Sequence, residues 1–171
     1  MKAKLLVNNR EIEVEITEEE FKKLEEKSVQ KTGYERVERE YKYFYAESDG
    51  AVDDTVDLEY EVDDGCYDTA NYYSDKTIAE NNARADQLMR QLRRFAVEHR
   101  KEEIKWESGN YKIYDIQYYY PGEELRSVEW QTARVFNGIY FDCKETAYLA
   151  IETFRDELIW YFTEYKDSLK G

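Results

Sequence analysis

The residues in this chain whose type and spacing could do chemistry are carboxylates. Asp57, Glu59, Glu61 and Asp63 alternate with Leu58, Tyr60 and Val62, and Val56 opens the run. Strict alternation is the period of a half-buried strand. Residues 56–63 are therefore expected to extend, with Val56, Leu58, Tyr60 and Val62 on one face and the four acids on the other. Alternate side chains of a strand stand roughly 6.6 Å apart, a spacing comparable to that of phosphates along a nucleic-acid strand. Such a row, flanked by Asp53, Asp54 and Asp64, suits a groove lined with Arg and Lys. These seven acids are the candidate partner-binding residues, acting as phosphate surrogates. Reversing Asp57, Glu59 and Glu61 to Lys is expected to abolish binding and leave folding intact.

The charge distribution points the same way. The chain has 171 residues, with 39 Asp and Glu against 25 Lys and Arg, a net charge of −14. Residues 43–75 hold eleven acids and no Lys or Arg, whereas a merely soluble surface mixes signs. A protein charged in this way is repelled by nucleic acid and by anionic membrane and is drawn to basic surfaces. The partner implied is the basic surface of a nucleic-acid-binding protein, with no direct contact to nucleic acid and none to membrane. The plain alternative is a solvated strand face, since Glu11, Glu13 and Glu15 alternate in the same manner.

Other chemistries find less support. The single histidine, His99, falls on the apolar side of a helix near its C-terminus, where it suits the helix dipole better than general-base work. Cys143 falls at a helix start and reads as a semi-buried thiol, and Cys66 is far from it in sequence. One His and two isolated Cys cannot make a zinc site, and the acids of 49–64 lack the spacing of a calcium loop. The seven Gly are scattered singly, so there is no phosphate-binding glycine loop. The expectation is a protein with no catalytic residue, no metal and no cofactor. The alternative is an enzyme or binder acting on nucleic acid through the Arg-rich segment, with Arg90, Arg93, Arg94 and His99 as phosphate contacts. The same arginines could instead neutralise the neighbouring acidic stretch.

The elements that must carry these residues read as α+β: an N-terminal ββα unit over 1–32, then a main domain over 33–171 in which an antiparallel sheet is packed by two long helices. Residues 2–7 and 11–16 read as strands turned at Asn8-Asn9. A helix follows, capped by Thr17 and Glu20. Residues 34–47 are Tyr-rich enough for a strand, ending at the turn Ser48-Asp49-Gly50. The spacing predicts a long helix over 77–101 with Thr77 and Glu80 as its capping box. Its apolar face is Ile78, Ala85, Leu88, Leu92, Phe95 and His99. A three-stranded meander should follow, with strands at 111–120, 125–136 and 139–141. The last helix should start at Asp142 and bury Ala147, Ala150, Ile151, Phe154, Leu158, Tyr161 and Tyr165. No internal repeat is apparent. No apolar run approaches the ~20 residues of a membrane span, and the start is charged too soon for a secretory signal, so a cytoplasmic location is expected.

Three segments resemble a known group. NYYSDKTIAENNARADQLMRQLRRFAVEHR at 71–100, YKIYDIQYYY at 111–120 and GIYFDCKETAYLAIETFRDELIWYFTEY at 138–165 are similar to small accessory proteins of phages and prophages of Gram-positive bacteria. The resemblance covers about residues 71–166 and brings no catalytic motif with it. Phage accessory proteins of this size often counter host defence, and several acidic ones are anti-CRISPR proteins that block the type II RNA-guided nuclease. The resemblance therefore implies an inhibitor acting in the cytoplasm of the bacterial host, with a structural phage accessory role as the other possibility.

Overall fold

The structure, a computed structural model, describes residues 2–7, 10–15, 17–19, 32–104, 112–131 and 138–165. The chain is α+β, and among the described residues its strands form separate two-stranded antiparallel hairpins rather than the expected single sheet. The first hairpin joins β1 (Lys2–Val7) to β2 (Arg10–Glu15), in a register that sets Leu5 opposite Ile12 and Ala3 opposite Val14. The conformation of the Asn8-Asn9 turn lies outside the described residues. So does the helix expected after Thr17, apart from residues 18–19, which are helical.

In the second hairpin β3 (Lys42–Ala46) pairs with β4 (Val52–Val56). The Ser48-Asp49-Gly50 turn forms as its residues dictate. Gly50 takes φ +94°, a conformation that costs glycine little, and Asp49 Oδ1 accepts from the Ala51 N–H at 2.9 Å. The strand expected at 56–63 does not form. β4 stops at Val56, Glu59 turns left-handed at φ +59°, and helix α1 occupies Glu61–Asp68. The cause is local competition for backbone donors. Asp57 Oδ1 accepts from the Glu59 N–H, and Asp63 Oδ2 accepts from the N–H groups of Leu58 and Tyr60. Those donors are then lost to any strand ladder.

After α1 the chain returns to the hairpin, and Tyr73 makes a two-way backbone bridge to Phe44 at 2.8 and 2.9 Å. Helix α2 (Lys76–Glu98) starts at once. Its N-cap is Asp75, whose Oδ1 accepts from the Ile78 N–H, two residues before the cap expected at Thr77. An Asp in extended backbone is the stronger cap, and its helix needs no help from Thr77. Of the expected apolar face of α2, Ala85, Leu88, Leu92 and Phe95 are buried, Ile78 is half-buried and His99, at the helix end, is exposed.

The third hairpin pairs β5 (Ile113–Tyr119) with β6 (Glu124–Trp130) across a 3-10 turn at Tyr120–Gly122. The expected meander is corrected at its third strand. Phe141 bridges Tyr114 of β5, not β6, at 2.9 and 2.8 Å, so β5 is the central strand. Helix α3 (Lys144–Thr153) then begins from Cys143. Asp142 does not cap it, because Asp142 Oδ2 accepts from the N–H groups of Lys101 and Glu102, just past α2. The final helical stretch is not continuous either. It breaks at Phe154 (φ −114°, ψ 23°), whose ring meets Phe95 edge-on at 5.5 Å, and resumes as α4 (Arg155–Trp160) and a π-helical turn at Tyr161–Tyr165.

A repeat that the sequence does not display thus emerges. Twice the chain forms a hairpin, returns to bridge the hairpin's first strand, and enters a helix three residues later. Helix α2 lies on β3 and β4, α3 lies on β5 and β6, and the two helices touch. The apolar core joins Leu88, Leu92, Phe95 and Ala96 of α2 to Leu125, Phe141, Ala147, Ala150, Ile151 and Leu158.

Candidate functional site

The acidic stretch folds around Arg36, which lies ahead of it in sequence. The Arg36 guanidinium forks onto Asp57, Nε to Oδ2 at 2.9 Å and Nη2 to Oδ1 at 3.3 Å, and its Nη1 donates to Asp64 Oδ1 at 2.6 Å. Tyr72 OH donates to Asp57 Oδ2 at 2.8 Å and accepts from the Val37 N–H at 3.2 Å. Tyr43 OH donates to Asp63 Oδ1 at 3.0 Å. The rings of Tyr43 and Tyr72 stack with centroids 3.9 Å apart, and Tyr67 meets Tyr72 edge-on. Tyrosine suits this layer because it gives a large apolar ring to bury and a hydroxyl that needs a partner.

Two of the seven predicted acids are therefore structural. Asp57 and Asp63 are only 1% and 3% exposed, and they cannot serve as phosphate surrogates on a surface. Their burial is tolerable because every carboxylate oxygen is hydrogen-bonded and Asp57 has a guanidinium beside it. That guanidinium is the main reason the Asp57 carboxyl is held down at about 2, against the opposing effect of burial; the Glu59 N–H and Tyr72 OH reinforce it. Burial first, and the Asp57 carboxylate second, push the Tyr72 phenol above its ordinary value. Next to this layer, Glu35 is held at about 2, chiefly by the Thr32 N–H. Its carboxylate also accepts from the Gly33 N–H and from Ser74 Oγ, tying the incoming chain to the start of α2.

The other five predicted acids are exposed. Asp53 and Asp54 lie on β4, whose side chains point largely into solvent. Asp54 pairs with Lys42 across the hairpin at 2.8 Å. Glu59 and Glu61 flank Tyr60 on the turn into α1, and Asp64 sits on α1 beside Arg36. Over 43–75 as a whole, nine of eleven acids are exposed. The result is an acidic lobe rather than an evenly spaced row.

The Arg-rich helix does not neutralise this lobe through any ion pair among the described residues. Arg84 pairs with Glu157 at 2.7 Å and lies over the Trp160 ring at 3.9 Å. Arg90, Arg93 and Arg94 are exposed, and Arg94 reaches Glu98 at 3.9 Å. His99 is the C-cap of α2; its ring stacks on Phe95 at 3.8 Å and its Nδ1 lies 3.0 Å from the Phe95 carbonyl. Cys143 Sγ lies 3.1 Å from Thr146 Oγ1, and Cys66 and Cys143 are not bonded to each other. No group of three or more His, Cys, Asp or Glu among the described residues is placed to hold a metal ion. No helix among them is long and apolar enough to cross a membrane.

A recess of about 350 Å³ opens beside the lobe, lined by Glu35, Arg36, Val37, Glu38, Tyr41 and Ser74. Its one lining cation, Arg36, is already bonded to Asp57 and Asp64. Sequence reasoning missed Arg36 and Tyr72. The available signal was indirect: a stretch with eleven acids and no base must borrow a countercharge if any of its acids is buried. Comparison of the chain with protein-family models, with curated proteins and with solved structures finds no match.

Proposed function

We propose that this protein is a non-enzymatic, phage-encoded inhibitor that docks its acidic lobe on the basic, nucleic-acid-binding surface of a host-defence nuclease, with a type II RNA-guided nuclease as the target. The observation that carries the reading is the lobe itself: nine exposed carboxylates within 43–75 and not one Lys or Arg in that segment. A lobe of this kind raises encounter rates with a basic groove and competes there with nucleic acid, in a salt-dependent way. The resemblance of residues 71–166 to phage accessory proteins supports the same direction. The mimicry is that of an acidic surface, since burial of Asp57 and Asp63 removes the extended row.

The test is DNA cleavage by type II RNA-guided nucleases, with the protein added before or after guide loading and before or after target DNA. Inhibition only before DNA is bound is the expected result. The charge-reversal variant must be Asp53→Lys/Glu59→Lys/Glu61→Lys, because Lys at position 57 would bury a cation beside Arg36. That triple variant should keep its fold and lose inhibition; undiminished inhibition would sink the reading. A second reading rests on the exposed Arg90, Arg93 and Arg94 of α2, which offer phosphate contacts to guide RNA or DNA. Inhibition confined to the step before guide loading, and lost on Arg90→Glu/Arg94→Glu, would favour it.

A further inference from the structure

Within the acidic lobe one turn displays apolar side chains that the charge argument does not use. Tyr60 is 61% exposed and Val62 is 66% exposed. Both lie between or beside Glu59 and Glu61. Tyr41 and Val56, on the neighbouring strand ends, are exposed as well, and the Asp57 N–H donates to the Tyr41 carbonyl at 2.9 Å, which holds those ends together. Single exposed apolar residues need no explanation. Four of them on one turn and its adjoining edge, inside the most polar part of the chain, do.

The turn is also held rigid. Asp57 accepts from the Glu59 N–H at 2.8 Å, and Asp63 accepts from Leu58 and Tyr60 at 3.0 Å each. These two buried carboxylates keep Glu59, a non-glycine residue, at φ +59°, a region such residues seldom adopt. The backbone that carries residues 59–62 is thus held in one conformation, so binding loses little backbone ordering entropy. Tyrosine is among the residues that most often dominate binding energy.

We infer that Tyr60 and Val62 are the anchors of a protein interface, entering an apolar pocket on a partner protein whose rim carries the Arg or Lys side chains that meet Glu59 and Glu61. This rests on the reading that the lobe binds a basic protein surface, and it adds the part of that surface that charge alone does not specify. The occupant follows from charge complementarity. Two carboxylates flanking the anchors repel nucleic acid and repel a second acidic copy of this chain, and they match a basic rim.

Two measurements on the full chain separate the inference from the reading beneath it. In the first, wild type and Tyr60→Ser/Val62→Ser are offered to a displayed library of random peptides. Both anchors are exposed, so the variant should keep the wild-type near-UV circular dichroism. Wild type should select peptides that combine large apolar residues with Arg or Lys. The double variant should bind them about thirtyfold more weakly, at low and high salt alike. Glu59→Lys/Glu61→Lys should lose binding mainly at low salt. Failure to select such peptides, or equal binding by the double variant, overturns the inference. So does a wild-type dimer in sedimentation that the double variant abolishes, since a second copy would then cover the face. In the second measurement the same variants enter the nuclease assay. Inhibition undiminished in Tyr60→Ser/Val62→Ser overturns the anchors and leaves the inhibitor reading intact. Absence of inhibition by wild type overturns that reading and leaves the peptide result to stand.

Discussion

The hairpin of β3 and β4 and the hairpin of β5 and β6 follow one backbone plan and are held by different chemistry. Each is bridged on its first strand by an aromatic residue, Tyr73 or Phe141, that leads into a helix. Under the second hairpin lie Leu125, Phe141, Ala147, Ala150, Ile151 and Leu158, an interior of aliphatic and aromatic groups. Under the first lie Tyr43, Tyr72, Asp57 and Asp63, a stack of phenols with their hydroxyls on carboxylates. The backbone plan therefore does not require an apolar interior. It accepts a polar one where the buried carboxylates are fully partnered, as those of Asp57 and Asp63 are, and this version leaves an acidic surface above it.

The sharpest way to test that contrast is to break each interior once. Asp57→Ala removes the bonds to Arg36, Tyr72 and the Glu59 N–H. Stripping one partner from a buried ion pair costs about 3–5 kcal/mol, and chemical denaturation should show a loss in that range. Leu158→Ala in the other half should cost roughly 3 kcal/mol from lost burial and the cavity left behind. The two should differ in pH response: the Leu158→Ala cost should be the same at pH 7 and pH 3, and the Asp57→Ala cost should shrink at the lower pH. A cost for Asp57→Ala that ignores pH would collapse the distinction.

Wild-type stability should carry the same signature. The folded Asp57 and Glu35 carboxyls titrate at about 2, below the unfolded values of about 4. Their contribution is fully present above about pH 4 and disappears as pH falls through about 2. Trp130 and Trp160 belong to the second hairpin and the helical segment that follows it, whereas the first hairpin holds Tyr43, Phe44 and Tyr45 and no tryptophan. Acid titration should therefore alter the near-UV tyrosine bands before it alters tryptophan emission; simultaneous loss would show that the two interiors melt as one.

A smaller effect should come from the connection into α2. Gly33 sits at φ +87°, and a Cβ there would lie 2.8 Å from Ile78 Cγ1. Gly33→Ala should cost about 1–2 kcal/mol, read as a lowered melting temperature. The smallest effect should be that of Arg84→Ala, whose pair with Glu157 is exposed on both sides. A change below about 1 kcal/mol is expected, even with the Trp160 ring beneath the guanidinium.

Much of this was legible in the residues. The β1–β2 hairpin, the turn at Gly50, the buried positions Ala85, Leu88, Leu92 and Phe95 of α2 and the buried positions Ala147, Ala150, Ile151 and Leu158 follow from periodicity and turn chemistry, which are local. Two of the errors share one cause. Residues 56–63 have the period of a strand, yet three of their backbone N–H groups go to the carboxylates of Asp57 and Asp63. Asp142 has the position of a cap, yet it bonds to residues 101 and 102. In each case a short polar side chain found a better partner than its own element, and periodicity carries no record of such partners.

The sequence alone determined the charge of the acidic lobe, the helix faces and the places where the chain must turn, because each depends on residues within a few positions of one another. Only the tertiary structure decided which carboxylates face solvent and which are consumed inside. That choice depends on Arg36, which lies 21 residues before Asp57, and on Tyr43 and Tyr72, which supply the hydroxyls. A carboxylate is buried only where a guanidinium or a set of donors waits for it, and only the folded chain brings those donors to it.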